Sequence, residues 1–181
     1  MQGESRGTTA FERLRDYERR SLEHAPGSPL QVGGGGWRGL AWRLGNRHLV
    51  STFDDVVEIL GAPVVTALPG TQPWMLGLAN IRGNLLPVVD LRLFLEGHRS
   101  VSHDGQRMLV MRQPGGDVGI LIDELFGQRV FDDEQRTESG ELSEGRYAHF
   151  IERAYRQNEQ SWGVFSLDRL ARTPEFRQAA A

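Results

Sequence analysis

The side chains able to do chemistry are few and scattered. Five histidines, His24, His48, His98, His103 and His149, show no metal-ligand spacing with one another or with a carboxylate on a shared helix. They read as surface or loop residues. The acidic pairs Asp54–Asp55 and Asp132–Asp133 have the composition of a general acid and base. Both lie beside turn signals, where solvated charge is the plainer reading, and the same holds for Asp123–Glu124 at a strand end. Cysteine is absent, which removes disulfides, thiolate metal sites and thiol nucleophiles. There is no G-x-S-x-G elbow. The glycine run at 33–36 lacks G-K-[ST] and the strand and helix that a phosphate cradle needs. The sequence therefore predicts no catalytic residue, no metal and no cofactor. One residue asks for a role: Arg82, followed by Gly83, inside the apolar run "GLANIRGNLLPVVDLRLFL". It reads as an exposed arginine in a turn, as one bridging to a carboxylate such as Asp90, or as a partner anchor. In the last reading its fork directs hydrogen bonds and its stem covers apolar surface, at a place where two small β-units meet.

The elements that would position Arg82 follow from periodicity. "TAFERLRDYERRSLEH" (9–24) predicts a helix with Thr9 and Glu12 at capping-box spacing. Its apolar stripe is thin, so it can lie on a surface but cannot organise a core, and it is too narrow and mixed in charge for a membrane. "APGSP" stops it and "GGGG" forms a joint. Residues 1–36 thus form a helical extension with a glycine-rich linker, and 37–181 form the ordered domain. "WRGLAWRL" places Leu40, Trp42 and Leu44 on one strand face, and Gly45-Asn46 turns it into "RHLVSTF". "FDDVVEIL" fits a strand end or a helical turn. "APVVTAL" predicts a short strand and "LPGTQPW" a loop. Residues 77–82 and 84–89 predict two strands parted at Gly83, and Asp90 caps a short helix. "QRMLVMRQ" and "DVGILIDELF" flank a "PGG" hairpin. "DDEQRTESGELSEGR" predicts a mobile loop. "SWGVFSLDRLA" reads as strand then helix.

Short strands with frequent turns, and 22 glycines, predict a mainly β fold, barrel or sandwich. "NLLPVVD" and "VGILID" are nearly continuous apolar, as expected where two small barrels pack together. The net charge of −3 gives no electrostatic reason for a nucleic-acid partner, although all 21 basic residues are arginine. Trp37, Trp42, Trp74 and Trp162 could serve as stacking platforms for single strands. Without a basic groove they read as packed aromatics. No long apolar segment or signal core is present, which predicts a soluble cytoplasmic protein without membrane insertion.

The stretch "PWMLGLANIRGNLLPVVDLRLFL" closely resembles the central motif of CheW-like domains, the adaptors of bacterial chemosensory arrays. Pro73, Trp74, Gly77, Asn80, Ile81, Arg82, Gly83, Pro87, Val88, Val89, Asp90, Leu91 and Arg92 carry it, with Val56, Glu58 and Ile59 upstream. The resemblance covers residues 37–172, and the chain looks most like the adaptors of type IV pilus (twitching motility) systems. It implies two packed five-stranded SH3-like β-barrels with short connecting helices and segments crossing between them. It implies scaffolding, with no enzyme activity. The partners would be the regulatory domain of a CheA-type histidine kinase and the cytoplasmic tip of a methyl-accepting receptor, at membrane-associated arrays. Val56, Glu58, Gly77, Asn80, Arg82 and Gly83 would line or shape a receptor groove between the barrels. The competing expectations are a small-barrel single-stranded nucleic-acid binder and an enzyme with a scattered site. The loop 132–146 and the N-terminal helix fall outside the family pattern.

Overall fold

The computed structural model describes residues 36–178. The helix predicted over 9–24, and His24 with it, lie outside that range. β1 (Trp37–Leu44) turns at Gly45-Asn46 into β2 (Arg47–Ser51), as predicted. The ambiguous stretch after it is both things in succession: a 3-10 turn at Phe53–Asp55, then β3 (Val56–Gly61). The strand predicted over 62–68 does not form. Only Thr66 pairs, exchanging two backbone hydrogen bonds with Leu78 at 2.8 and 2.9 Å. Pro63 and Pro69 bracket the segment, and a proline has no N–H to give a ladder.

β4 (Met75–Ile81) and β5 (Asn84–Val89) form the expected hairpin. Asp90 caps α1 (Leu91–Glu96), its Oδ1 accepting from the Leu93 N–H at 3.1 Å. β6 (Arg107–Met111) and β7 (Val118–Ile122) flank the predicted turn. β7 is buried at every position, as a continuous apolar run requires. Asp123 then divides the run, and β8 (Glu124–Phe131) belongs to the other sheet.

The tract expected to be a mobile loop is folded. Three 3-10 turns, Asp133–Gln135, Gly140–Ser143 and Gly145–His149, surround the two-residue β9 (Arg136–Thr137). Its sparse apolar residues, Leu142 and then Tyr147, are both buried and hold it down. β10 (Ile151–Gln157), β11 (Gln160–Phe165), α2 (Leu167–Arg172) and α3 (Pro174–Arg177) follow.

The strands form two sheets, ordered β8-β1-β2-β11-β10-β9 and β3-β6-β7-β5-β4. The five-stranded sheet comes from one continuous stretch of chain, and the six-stranded one from the flanks on either side of it. The fold is the expected CheW-like pair of β units, with the tiny β9 added to one. Each sheet curls around its own core. Leu60, Val65, Ala79, Leu86, Val88, Met108, Val110 and Leu121 fill the five-stranded unit. Ala41, Val50, Phe131, Tyr155, Trp162 and Val164 fill the six-stranded one, with Trp37 and Phe126 packed against them. A third and largest core joins the units: Trp42, Leu49 and Phe165 from one sheet, Val89, Leu109 and Ile120 from the other, with Phe94, Leu170 and Phe176 from the helices. Burial of this kind stabilises by about 1.5–3 kcal/mol for each large apolar side chain.

Candidate partner-binding surface

Ile81 pairs with Asn84, so the β4–β5 loop is two residues long. Its residues Arg82 (φ 51°) and Gly83 (φ 87°) are both left-handed. That is the type I′ geometry that matches strand twist. Glycine accepts it freely, whereas arginine carries a Cβ and pays roughly 1–2 kcal/mol for it. Asn80 steadies the turn, its Oδ1 accepting from the Gly83 N–H at 2.8 Å.

From this turn Arg82 reaches across to β3. Its Nη2 donates to Glu58 Oε1 at 2.6 Å, with 73% of the arginine side chain and 31% of the glutamate side chain exposed. β3 and β4 are the two outer strands of the five-stranded sheet, so the ion pair ties its opposite edges together. Glu58 lies opposite Val110, on the face that lines this unit's own core. At such exposure the pair contributes about 0.2–1 kcal/mol.

The plain reading holds: Arg82 is an exposed turn arginine that bridges to a carboxylate, although the partner is Glu58 and not Asp90, which is 2% exposed. What changes is its place, on a hairpin tip and not at the junction of the two units. Asp90 caps α1 and also accepts from the Ser100 N–H at 2.9 Å and the Ser100 hydroxyl at 2.7 Å.

The structure brings Glu58, Asn80, Arg82 and Gly83 together and leaves the other two candidates apart. Gly77 is buried with φ 140°, and a Cβ there would stand 2.0 Å from the Thr66 carbonyl oxygen. It lets the 62–67 segment lie against β4, so it shapes the frame and not the surface. Val56, at the start of β3, is half-buried against the core between the units.

Sequence reasoning missed the apolar residues around the tip. Leu78 faces the shared core and pairs with Pro87, so Asn80 and its partner Leu85 continue the same face. Ile59 pairs with the buried Leu109 of that core. Leu85 is 68% exposed and Ile59 37%. The inter-unit face of the five-stranded sheet therefore runs on past its cover as an apolar margin. Tracing each strand outward from its buried residues would have found it, but "VVEIL" has no clean alternation to fix the parity.

The other groups surveyed serve the frame. Among the described residues no cluster of three or more histidine and carboxylate side chains is placed to hold a metal. Trp42, Trp74 and Trp162 are buried. Trp37 stacks on Tyr155 at 5.9 Å, with the rings 7° apart. All four are packing aromatics, as the plainer reading expected. Asp123 is a correction: it is 5% exposed and not a solvated turn charge. At the crossing between sheets its Oδ2 accepts from the Gly45 N–H at 2.6 Å, and its own N–H donates to the Arg43 carbonyl at 2.9 Å.

Glu96 is a second knot. It accepts from Arg47 at 3.2 Å, Arg92 at 3.0 Å and the Tyr147 hydroxyl at 2.9 Å. The hydrogen bond to Glu96 raises the Arg92 pKa. Burial, reinforced by Glu96, pushes the Tyr147 phenol far above its ordinary range. This knot straps α1 to β2 and to the 145–149 turn.

The sequence pattern of the CheW-like domain matches residues 38–175. The chain belongs to the CheW-like domain family. It is 35% identical over 173 residues to Protein PilI of Pseudomonas aeruginosa, covering 95% of this chain and 97% of that one. A probable chemotaxis protein CheW of Rhizobium etli is 30% identical over 105 residues, covering 58% of this chain and 67% of that one. Among solved structures, the scaffolding protein TtCheW of Thermoanaerobacter tengcongensis superposes with a TM-score of 0.62 at 18% identity, covering 72% of this chain and 88% of that one. That likeness supports the CheW-like fold.

Proposed function

We propose that this chain is a non-catalytic adaptor of a bacterial chemosensory pathway. It couples methyl-accepting receptors to a CheA-type histidine kinase through the kinase's regulatory domain, at membrane-associated arrays. The similarity to PilI along nearly the whole chain supports a pathway that controls type IV pilus twitching motility. Residues 37–181 act as one CheW-like domain and 1–36 as an appended extension.

The observation that carries the reading is the exposed tip. A directed cation, Arg82, is held by Glu58 at the tip. Ile59 and Leu85, the sequence neighbours of Glu58 and of the turn's closing residue Asn84, are exposed apolar residues on the other face of the same strands. A helical receptor tip offers such a surface an apolar stripe and polar flanks. Asn80 and Gly83 give this surface its shape, and Val56 and Gly77 support the frame behind it. Weak single contacts gain strength from repetition in an array. Among the described residues no helix is long and apolar enough to cross a membrane, and the adaptor needs none. The nucleic-acid reading finds no support, because the tryptophans it needs are packed inside.

The test is binding of a receptor cytoplasmic-tip fragment to the wild type and to Arg82→Ala, with circular dichroism as the check on folding. The expected result is at least a roughly tenfold weaker complex for a folded variant. Equal affinity would remove Arg82 from the receptor surface.

A further inference from the structure

His48 closes one end of the six-stranded unit in an aromatic box. Its ring stacks on Phe126 of β8 at 5.4 Å, with the planes 14° apart, and meets Trp162 of β11 edge-on at 5.0 Å. Phe126 and Trp162 meet at 5.6 Å, so the three rings pack mutually. The His48 Nδ1 is buried without a hydrogen-bond partner in the protein, and so is the Trp162 Nε1.

The charges facing this box are mostly positive. β1 supplies Arg43, which lies directly across from His48 in the strand register. β8 supplies Arg129 and Glu124. Arg129 already covers the Trp162 ring, its Cζ 4.4 Å from the centroid. Glu124 is held by Arg43 at 3.1 Å. β11 contributes only the neutral indole. An imidazolium at His48 would share its ring partner with one cation and face another, and its Nδ1 proton would have no acceptor.

We propose that His48 is a proton-operated plug: neutral, it seals the β2–β8–β11 end of the six-stranded unit, and protonation in mildly acidic conditions loosens that end. Burial first, and Arg43 next, hold its pKa below the ordinary 6.5. The sign follows by linkage. The unfolded chain takes up the proton before the folded one does. Stability is complete above the ordinary histidine range and falls as pH drops through and below it.

The experiment is thermal unfolding of the full chain at about pH 7.5 and about pH 5.5, with NMR titration of the His48 imidazole in the wild type. His48→Phe keeps the aromatic box and removes the proton site. His98→Asn, at an exposed histidine, is the control. The wild type and His98→Asn should lose about 2–4 °C more on acidification than His48→Phe. The imidazole should titrate below the ordinary value. Equal losses in all three proteins, or an imidazole titrating at or above the ordinary value, would overturn the proposal. If His48→Phe fails to fold, the imidazole titration decides alone.

Discussion

Arg82 occupies a backbone conformation that its own Cβ resists, with φ 51°, and its side chain is largely exposed. For stability alone glycine would serve better at this position. Arg82→Gly is therefore expected to leave stability unchanged or raise it by up to about 1 kcal/mol, because relief of the turn offsets loss of the exposed ion pair. Urea unfolding measures this. A loss as large as a core truncation would mean that the arginine is structural and would weaken the partner-anchor reading. Tyr147 is the contrasting case. Its ring is 1% exposed and its hydroxyl donates to Glu96 at 2.9 Å. Tyr147→Phe should cost about 1 kcal/mol by the same measurement. Because the folded phenol resists ionising, the wild type should lose stability as pH rises past the ordinary tyrosine value of 10.0. The variant should lose less. Parallel alkaline profiles for the two proteins would contradict the buried, Glu96-bound phenol.

At the scale of elements, the β4–β5 hairpin and the Asp90 helix cap were legible because each depends on a local signal. Gly83 parts two apolar runs, and Asp90 begins a helical one. Three features were not legible, for physical reasons. The prolines around 62–68 leave one pairing residue, and the partner that makes it pair, Leu78, is set by tertiary contact. Asp123 sits between the wholly apolar VGILI and the mixed ELFGQRVF, and that change in composition does not say that the chain changes sheets there. The tract 132–146 is polar in composition, and one buried leucine outweighs that composition. Of the six candidate site residues, the four in or bonded to the turn came together. Gly77 did not, since its motif position reflects a close backbone approach. Gly77→Ala should accordingly destabilise by about 3 kcal/mol or more, since a methyl 2.0 Å from a carbonyl oxygen forces the 62–67 segment off β4. A change within about 0.5 kcal/mol in chemical unfolding would show that the segment yields freely.

Across the whole molecule, two curled sheets share a third core, and two polar knots hold the crossing points. Asp123 pins the β1–β2 turn to the β7–β8 corner, and Glu96 straps α1 to β2. This frame spends its buried polar groups on joining units. On the five-stranded unit, the exposed Arg82 is paired with Glu58, and Ile59 and Leu85 of the same sheet are also exposed. That division suits a protein whose work is to hold others in place.

The central claim is that this CheW-like chain is an adaptor for a kinase, and calorimetric titration with the regulatory domain of the CheA-type kinase from the same genome tests it most directly. Binding at roughly micromolar affinity or tighter, with a negative heat-capacity change from buried apolar surface, is the expected result. No heat at several temperatures, with both proteins shown to be folded, would contradict the adaptor reading.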